Sequence, residues 1–274
     1  VSPSILYLVS DSTPPPVALT IAGSDNSAGA GAQADIKTFT ALGAYGLTAI
    51  TCVVAEVPGK VSAIHPIPAR VVGEQIRLSL SAFPVAAAKT GMLYSTEIVE
   101  TVCDLLAATD MPLVVDPVMV ATSGAPLLRP DALELFRNRL FRRAAIVTPN
   151  MDEVAVLIGR PVRTLDDMRQ AGTELVSEFA TAWLLKGGHL SGDVATDILF
   201  ETDGSVMEFA SPRIMGVSTH GTGCTTSAAI TAGLAHGLSL RDAVAQAKRF
   251  VTQAIRQHYR WGDIHALNHS TGFV

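Results

Sequence analysis

Near its C-terminus the chain reads Ser218-Thr219-His220-Gly221-Thr222-Gly223-Cys224-Thr225-Thr226-Ser227 and runs on into Ala228-Ala229-Ile230. Closely spaced glycines, small hydroxylated residues and then an apolar run predict a tight turn opening into a helix. The N–H groups of a first helical turn have no partner within the helix, and the helix dipole adds positive potential at the same spot. Such a turn is an anion site built from backbone, suited to a phosphate in transit. Cys224 stands at its mouth, where that field is expected to lower a thiol's pKa. The same residues also fit a glycine-rich connection that buries a cysteine.

Other chemistry-bearing residues recur where apolar runs end: Gly23-Ser24-Asp25, Glu56, Lys89, Asp116, Asn150 and Lys186-Gly187-Gly188. If those runs are parallel strands, every exit faces one edge of the sheet. Asp116 and Glu153 are carboxylates able to hold Mg²⁺, mostly through water. Asn150 and Glu153 sit three apart at a helix start and can serve one ion together. Each alone also reads as a helix cap or a surface acid. Gathered opposite an anion hole, they favour phosphoryl transfer, in which metal and positioned donors carry most of the catalysis.

The elements that must position these residues alternate strand and helix. Residues 1–16, ending in Pro14-Pro15-Pro16, form a stiff extension outside a single domain of residues 17–274. Val17–Ala22 is a buried first strand, followed by a glycine-rich stretch and a helix from about Ala32 to Leu42. Leu47–Ala55 is a second strand, Pro58-Gly59 turns the chain, and Val61–Ile64 is a short edge segment. Next come a helix over Ala69–Ser81, a strand over Ala86–Thr90 and a helix over Thr96–Ala108 capped by Ser95 or Thr96. The strand Leu113–Pro117 ends on a carboxylate, and Pro130 opens a helix to Leu140. Ala145–Asn150 is strand into turn, Met151–Ile158 and Met168–Phe179 are helices, and Ala182–Lys186 is a strand. Thr196–Phe200 and Val206–Phe209 make a hairpin around Asp203-Gly204. The glycine turn then opens a helix to about His236, and a last helix covers about Leu240 to Tyr259. This alternation, without a repeat or an interdomain linker, predicts one α/β sandwich on a mainly parallel sheet.

One pattern in this series misleads. Gly29-Ala30-Gly31-Ala32-Gln33-Ala34 matches the dinucleotide fingerprint G-x-G-x-x-A, with Glu56 roughly 20 residues on. Its glycines come well after the strand rather than in the tight turn that the fingerprint requires, which argues against a nicotinamide or flavin site.

Composition narrows the function classes. Hydrophobic residues make up 48% of the 274 and charged residues only 16%, which suits a large buried core and excludes the disordered class. With a formal net charge of −5 and no basic run, nucleic acid and anionic membrane are poor partners. No apolar stretch of about 18 residues predicts a membrane span. Cys52, Cys103 and Cys224 show neither CxxC spacing nor a disulfide framework, so a reducing cytoplasm is expected.

Taken in order, a set of motifs resembles one family. These are Ala22-Gly23-Ser24-Asp25 with Gly29-Ala30-Gly31-Ala32-Gln33-Ala34-Asp35, then Lys89-Thr90-Gly91-Met92-Leu93 and Asp116-Pro117-Val118-Met119-Val120. Thr148-Pro149-Asn150 with Glu153, Lys186-Gly187-Gly188-His189 and His220-Gly221-Thr222-Gly223-Cys224 complete it. Over about residues 17–258 the chain is similar to the hydroxymethylpyrimidine/phosphomethylpyrimidine kinases of thiamine biosynthesis, within the ribokinase superfamily. The resemblance implies a ribokinase-like three-layer α/β/α sandwich, often a homodimer, binding a small-molecule substrate. It implies transfer from ATP, with Mg²⁺, to 4-amino-5-hydroxymethyl-2-methylpyrimidine and then to its monophosphate. Cys224 then lies near the substrate hydroxyl as base or positioner, with the Gly221, Thr222, Gly223 and Cys224 amides as anion hole. Asp116 and Glu153 handle Mg²⁺. Asn150, Lys186, Gly187, Gly188 and Thr219, with Gly221 and Gly223, attend the nucleotide. Ala22, Val54, Met92 and Val118 wall the pyrimidine with Asp25 nearby, although the apolar four also fit a plain core.

The chain departs from the family at Glu56, where glutamine is usual after Val-Ala; an ionised glutamate accepts but cannot donate. Val57-Pro58-Gly59 replaces the usual Asn-Thr, and the tail lacks the customary Gly-Pro ending. Two other readings stay open: a pyridoxal kinase or related small aza-aromatic alcohol kinase, and a catalytically idle pyrimidine-binding paralogue.

Overall fold

The computed structural model describes residues 13–119, 130–190, 192–217 and 220–270. The expected extension is described only from Thr13 onward, and Thr219 and Val120 lie outside the described residues.

The sheet begins with β1 (Val17–Asp25), β2 (Tyr45–Val57), β3 (Lys60–Pro66) and β4 (Val85–Thr90). It continues with β5 (Leu113–Val115), β6 (Ile146–Val147), β7 (Ala182–Lys186), β8 (Val194–Phe200) and β9 (Val206–Pro212). Their spatial order is β3-β2-β1-β4-β5-β6-β7-β8-β9. The strands from β2 through β7 in that order pair in parallel, and antiparallel hairpins close both edges. The mainly parallel α/β sandwich expected from the alternation is the observed fold.

Side-chain alternation sorts the strands' residues between two helix layers. Leu19, Ile21, Val115, Val147, Trp183 and Leu185 join one core cluster. It packs with α2 (Ala69–Ala82), α3 (Thr96–Leu106), α6 (Met151–Ile158) and α7 (Leu165–Phe179). Their neighbours Ala18, Ala87, Val114, Ile146 and Leu184 turn the other way. They meet α1 (Gly31–Ala41), α8 (Thr222–Ala235) and α9 (Leu240–Arg256). Helix α8 is buried on nearly every side, touching α1, α9, β1, β4 and β5. Its Ala, Thr, Ser and Gly residues let those neighbours come close; Gly233 lies where a Cβ would stand 2.9 Å from that of Ala243.

Two helices differ most from expectation, and one hairpin is new. The helix at Pro130 is α4 (Pro130–Leu135), then a π-helical turn over Phe136–Leu140, then α5 (Phe141–Arg143). The wider turn lets sequence neighbours Leu140 and Phe141 both reach the core, where Phe141 meets Phe136, Phe179 and Trp183 edge-on. Helix α9 stops at Arg256, not near Tyr259. Beyond it β10 (Tyr259–Trp261) and β11 (Ile264–Ala266) form a small hairpin that the sequence pattern did not reveal. The tail then returns, and the His269 ring reaches the Thr225 hydroxyl at 3.0 Å.

Candidate active site

A cleft of about 650 Å³ runs along the edge where the parallel strands end. Ala22, Asp25, Val54, Glu56, Met92 and Val118 line one end of it. Asp116, Asn150, Glu153, Lys186 and Gly188 line its middle, together with Gly221, Thr222, Gly223 and Cys224. Gly187 is not on its wall: its N–H donates to Asp197 Oδ1 at 3.0 Å, and a Cβ there would stand 2.1 Å from the Thr196 carbonyl oxygen. The glycine at Gly187 is therefore required by the contact with β8.

Two glycine-rich turns build the cleft's apex by packing backbone on backbone. Gly221 caps α8 with φ +81°, and a Cβ there would lie 1.8 Å from the Gly29 carbonyl oxygen. Gly31, with φ +59°, would put a Cβ 2.6 Å from the Gly23 carbonyl oxygen. The glycines of the dinucleotide-like stretch thus serve this close approach. They bring the starts of α1 and α8 together, and both turns line the cleft.

Asp25 organises the loop between them. Its carboxylate accepts from the Ser27 N–H at 2.7 Å, the Ser27 hydroxyl at 3.0 Å and the Ala30 N–H at 2.8 Å. His220 Nε2 stands 3.5 Å away. Burial works to raise this carboxyl, but His220, Ser27 and Ala30 outweigh it and hold it well below the usual carboxylate range. Its oxygens are committed to the loop rather than to the cleft. Glu56, at the end of β2, is half-buried; its N–H is accepted by Asn26 Oδ1 at 2.6 Å. Burial first, then the Asp25 charge, pushes the Glu56 carboxyl upward, and His220 opposes them. On the opposite wall Val118 holds φ +43°, a region β-branched residues avoid.

In the middle of the cleft, Asn150 and Glu153 are bonded to each other. The Asn150 side chain accepts the Glu153 N–H at 2.9 Å, and Glu153 Oε2 accepts the Asn150 N–H at 2.9 Å. This capping box at the start of α6 commits one lone pair of the Asn150 oxygen and one of Glu153 Oε2 to the helix start. Glu153 Oε1 accepts one further N–H, from Met119 at 3.2 Å. Burial pushes the Glu153 carboxyl up to about 7; Lys186 opposes this and the Asp116 charge adds to it. Lys186 Nζ is 3.5 Å from Asp116 Oδ1, and the Ser227 hydroxyl donates to Asp116 Oδ2 at 3.2 Å. Among the described residues no group of three or more His, Cys, Asp and Glu side chains is placed to hold a metal by itself. Two hard carboxylates beside a cation suit Mg²⁺ only with phosphate or water oxygens as the remaining ligands.

The expectation for Cys224 is corrected. Burial pushes its thiol up to about 12 rather than down. Lys89 and the Gly31 N–H favour charge on the sulfur, but Asp35 and Asp116 oppose it, and the helix field does not overcome the loss of water. At neutral pH Cys224 is a thiol.

Sequence reasoning did not foresee the pairings of several residues of this edge. Lys89, expected as a strand-exit group, is fully buried and paired with Asp35 at 2.8 Å. Lys248 on α9 pairs with Asp197 at 2.9 Å, and both line the cleft. Arg213 donates to the carbonyls of Gly188, Leu190 and Gly192, fixing the loop after β7. A lysine inside an otherwise apolar strand was a readable sign of the first; the others depend on long-range packing.

This sheet, its two helix layers and the backbone-built turn at α8 define a small-molecule kinase of the ribokinase-like fold. The phosphomethylpyrimidine kinase family model matches residues 25–269, and the chain belongs to that family. It is 47% identical over 250 residues to a hydroxymethylpyrimidine/phosphomethylpyrimidine kinase of Streptomyces coelicolor, covering 90% of this chain and 91% of that one. It is 45% identical to the thiamine biosynthesis bifunctional protein ThiED of Geobacter sulfurreducens, with 92% of this chain spanning 51% of that protein. Among solved structures, an ADP complex of Bacillus subtilis pyridoxal kinase superposes with a TM-score of 0.85 at 34% identity, covering 92% of this chain and 96% of that one. A phosphomethylpyrimidine kinase from Clostridium difficile 630 superposes with a TM-score of 0.76 at 38% identity, covering 87% and 98%.

Proposed function

We propose that this protein transfers the terminal phosphoryl group of ATP to 4-amino-5-hydroxymethyl-2-methylpyrimidine, and then phosphorylates the monophosphate to the diphosphate, in thiamine biosynthesis. The observation that carries this reading is the cleft's division: an apolar slot at the β1, β2 and β4 exits opens onto the Asp116–Lys186–Glu153 charges and the start of α8. Ala22, Val54, Met92 and Val118 hold the flat ring in that slot. The convergent N–H groups at Gly221–Cys224 receive the transferring phosphoryl group. The hydroxyl oxygen bonds to phosphorus, the bond from phosphorus to the bridging oxygen of ADP breaks, and the hydroxyl proton leaves with the phosphoryl oxygens. So loose a transition state needs little base, and Cys224 as a thiol orients the hydroxyl instead of deprotonating it. Lys186 offsets phosphate charge, while Gly188, Asn150 and Thr219 attend the nucleotide and Gly187 serves by orienting Asp197. Asp116 and Glu153 would hold Mg²⁺, which supplies charge neutralisation at the phosphates. We read the protein as cytoplasmic, in keeping with its three free cysteines. We also read it as a homodimer; the exposed Val53, Val57 and Val61 on the β2–β3 hairpin supply apolar surface for that contact.

A second reading, pyridoxal kinase, is favoured by one observation: pyridoxal kinases superpose with TM-scores of about 0.85, including one from Staphylococcus aureus in complex with AMP-PCP and pyridoxal at 35% identity over 93% of both chains. A coupled ATP-turnover assay with the hydroxymethylpyrimidine, its monophosphate and pyridoxal side by side decides between them. Turnover of both pyrimidines is expected; turnover of pyridoxal alone would replace the first reading with the second.

A further inference from the structure

The turn that opens α8 is supported from the far end of the chain. Beyond α9 the β10–β11 hairpin leads into a return segment in which Leu267 and His269 are buried. Asn268 pins that segment. Its N–H donates to the Ala254 carbonyl of α9 at 3.2 Å. Its side-chain oxygen accepts the Tyr259 hydroxyl at 3.0 Å and the Ser270 N–H at 2.9 Å. His269 is thereby held with Nε2 3.0 Å from the hydroxyl of Thr225, in the first turn of α8.

Donor and acceptor roles turn this contact into a chain. The buried Thr225 hydroxyl donates to the Gly221 carbonyl at 2.8 Å, beside the helical bond from the Thr225 N–H to the same oxygen at 2.9 Å. A hydroxyl has one proton to give, so toward His269 it accepts, and the ring proton stands on Nε2. Burial and then the Lys37 charge lower the ring's pKa to about 4, so near neutral pH that proton is the only one the ring carries. The Gly221 carbonyl is one half of a peptide unit whose other half is the Thr222 N–H. The peptide is trans, so the two groups point in opposite directions. Bonds that hold the carbonyl toward Thr225 therefore aim the Thr222 N–H outward from the helix start, where Gly221, Thr222 and Gly223 line the cleft. Gly221 has no side chain to restrict this unit, so its direction depends on these bonds and on the close approach of Gly29.

We propose that His269 is a positioning residue for phosphoryl transfer: through Thr225 it fixes the Gly221–Thr222 peptide, and with it the direction in which the Thr222 N–H meets the transferring group. That last contact rests on the kinase reading, whereas the control of the peptide by His269 does not.

Steady-state kinetics well below the melting temperature test it, with ¹⁵N NMR of the unliganded protein in parallel. H269M removes the ring donor, T225V removes the hydroxyl, and H269Q restores an N–H at about the reach of Nε2. H269M and T225V are each expected to lose about tenfold in kcat, less than the roughly 10²–10³-fold for deleting a transition-state donor outright, with the acceptor KM little changed. H269Q should recover most of that loss. The double variant H269M/T225V should be little worse than T225V, because the two residues act in series. A folded H269M protein with parental kcat overturns the proposal, as does a double variant whose losses multiply. If H269M does not fold, T225V is read in its place by the same criterion. The NMR arm needs neither ATP nor acceptor. It should show the His269 ring protonated at Nε2, and the Thr222 amide signal displaced in H269M and T225V but close to the parent in H269Q. The opposite tautomer, or a Thr222 signal that H269M and T225V leave in place, overturns the proposal. Absence of turnover by the parent would sink the kinase reading while these spectra still judged His269.

Discussion

Two corners of one sheet edge bury carboxylates, and the fold treats them in opposite ways. At the β1 exit, Asp25 accepts two N–H groups and a hydroxyl beside His220, and its pKa is driven well below the usual range. At the β5 and β6 exits, Glu153 receives one N–H per oxygen with Asp116 nearby, and burial pushes it up to about 7. Both are sealed from solvent, but Glu153 lies under more packed protein and has fewer donors. A carboxylate saturated by its own loop belongs to the scaffold, whereas one short of donors beside a like charge can take a new partner when a cation arrives.

The sharpest break of this comparison is Lys186→Met. Lys186 is the cation that opposes the crowding of Asp116 and Glu153, so its loss should remove phosphate stabilisation directly. The expected fall in kcat is about 10²–10³-fold, the scale for losing one transition-state donor, with a smaller change in acceptor KM. A variant with near-parental kcat would mean that this corner does not handle the transferring charge.

The Asp25 corner should answer in stability. Asp25→Ala strips the acceptor from the part-buried Ser27 and Ala30 N–H groups, at a total cost of about 1–3 kcal/mol, measurable by urea unfolding. The sign with pH follows from the lowered pKa. Its contribution is complete above the ordinary aspartate value of 3.8 and is lost as pH falls below it, because the unfolded chain binds the proton first. His269 gives a separate limb. Burial lowers it from 6.5 to about 4, so stability should decline as pH falls between those values. His269→Gln should flatten that upper limb and Asp25→Asn only the lower one. A single acid limb insensitive to both would contradict the assignment.

How much of this was legible beforehand differs between fold and site. The strand–helix alternation was readable because parallel strands buried on both faces are written as continuous apolar runs such as Val17–Ala22 and Ala182–Leu185. The π turn at Phe136–Leu140 was not, since Leu140 and Phe141 are adjacent apolar residues that a regular helix can also accommodate. Of the site, the strand-exit residues were found by position. What they do there was less visible: Asn150 and Glu153 satisfy each other, and Cys224, half-buried at the cleft, has its thiol pushed up despite the field that was expected to activate it. Local spacing shows which groups share a helix turn, but desolvation depends on what packs over them from distant parts of the chain.

The smallest expected effect lies at Glu56, between the two corners in character. It is half-buried, and its carboxyl is pushed upward by burial and by Asp25, against the pull of His220. Protonated, it can both donate and accept, as glutamine does; ionised, it only accepts. Because its pKa is raised, the protonated form persists to higher pH than for an ordinary glutamate and gives way as pH rises. Glu56→Gln should therefore resemble the parent at acidic pH and diverge from it toward pH 8, with a ratio of acceptor KM values reaching up to about tenfold, or 1.4 kcal/mol. Measuring that ratio from pH 5 to 8 reads the contact itself. A ratio that differs from one but stays flat with pH would place Glu56 against the ring in a single protonation state. A ratio of one throughout would remove it from the acceptor's surroundings and leave the slot's selectivity to Ala22, Val54, Met92 and Val118.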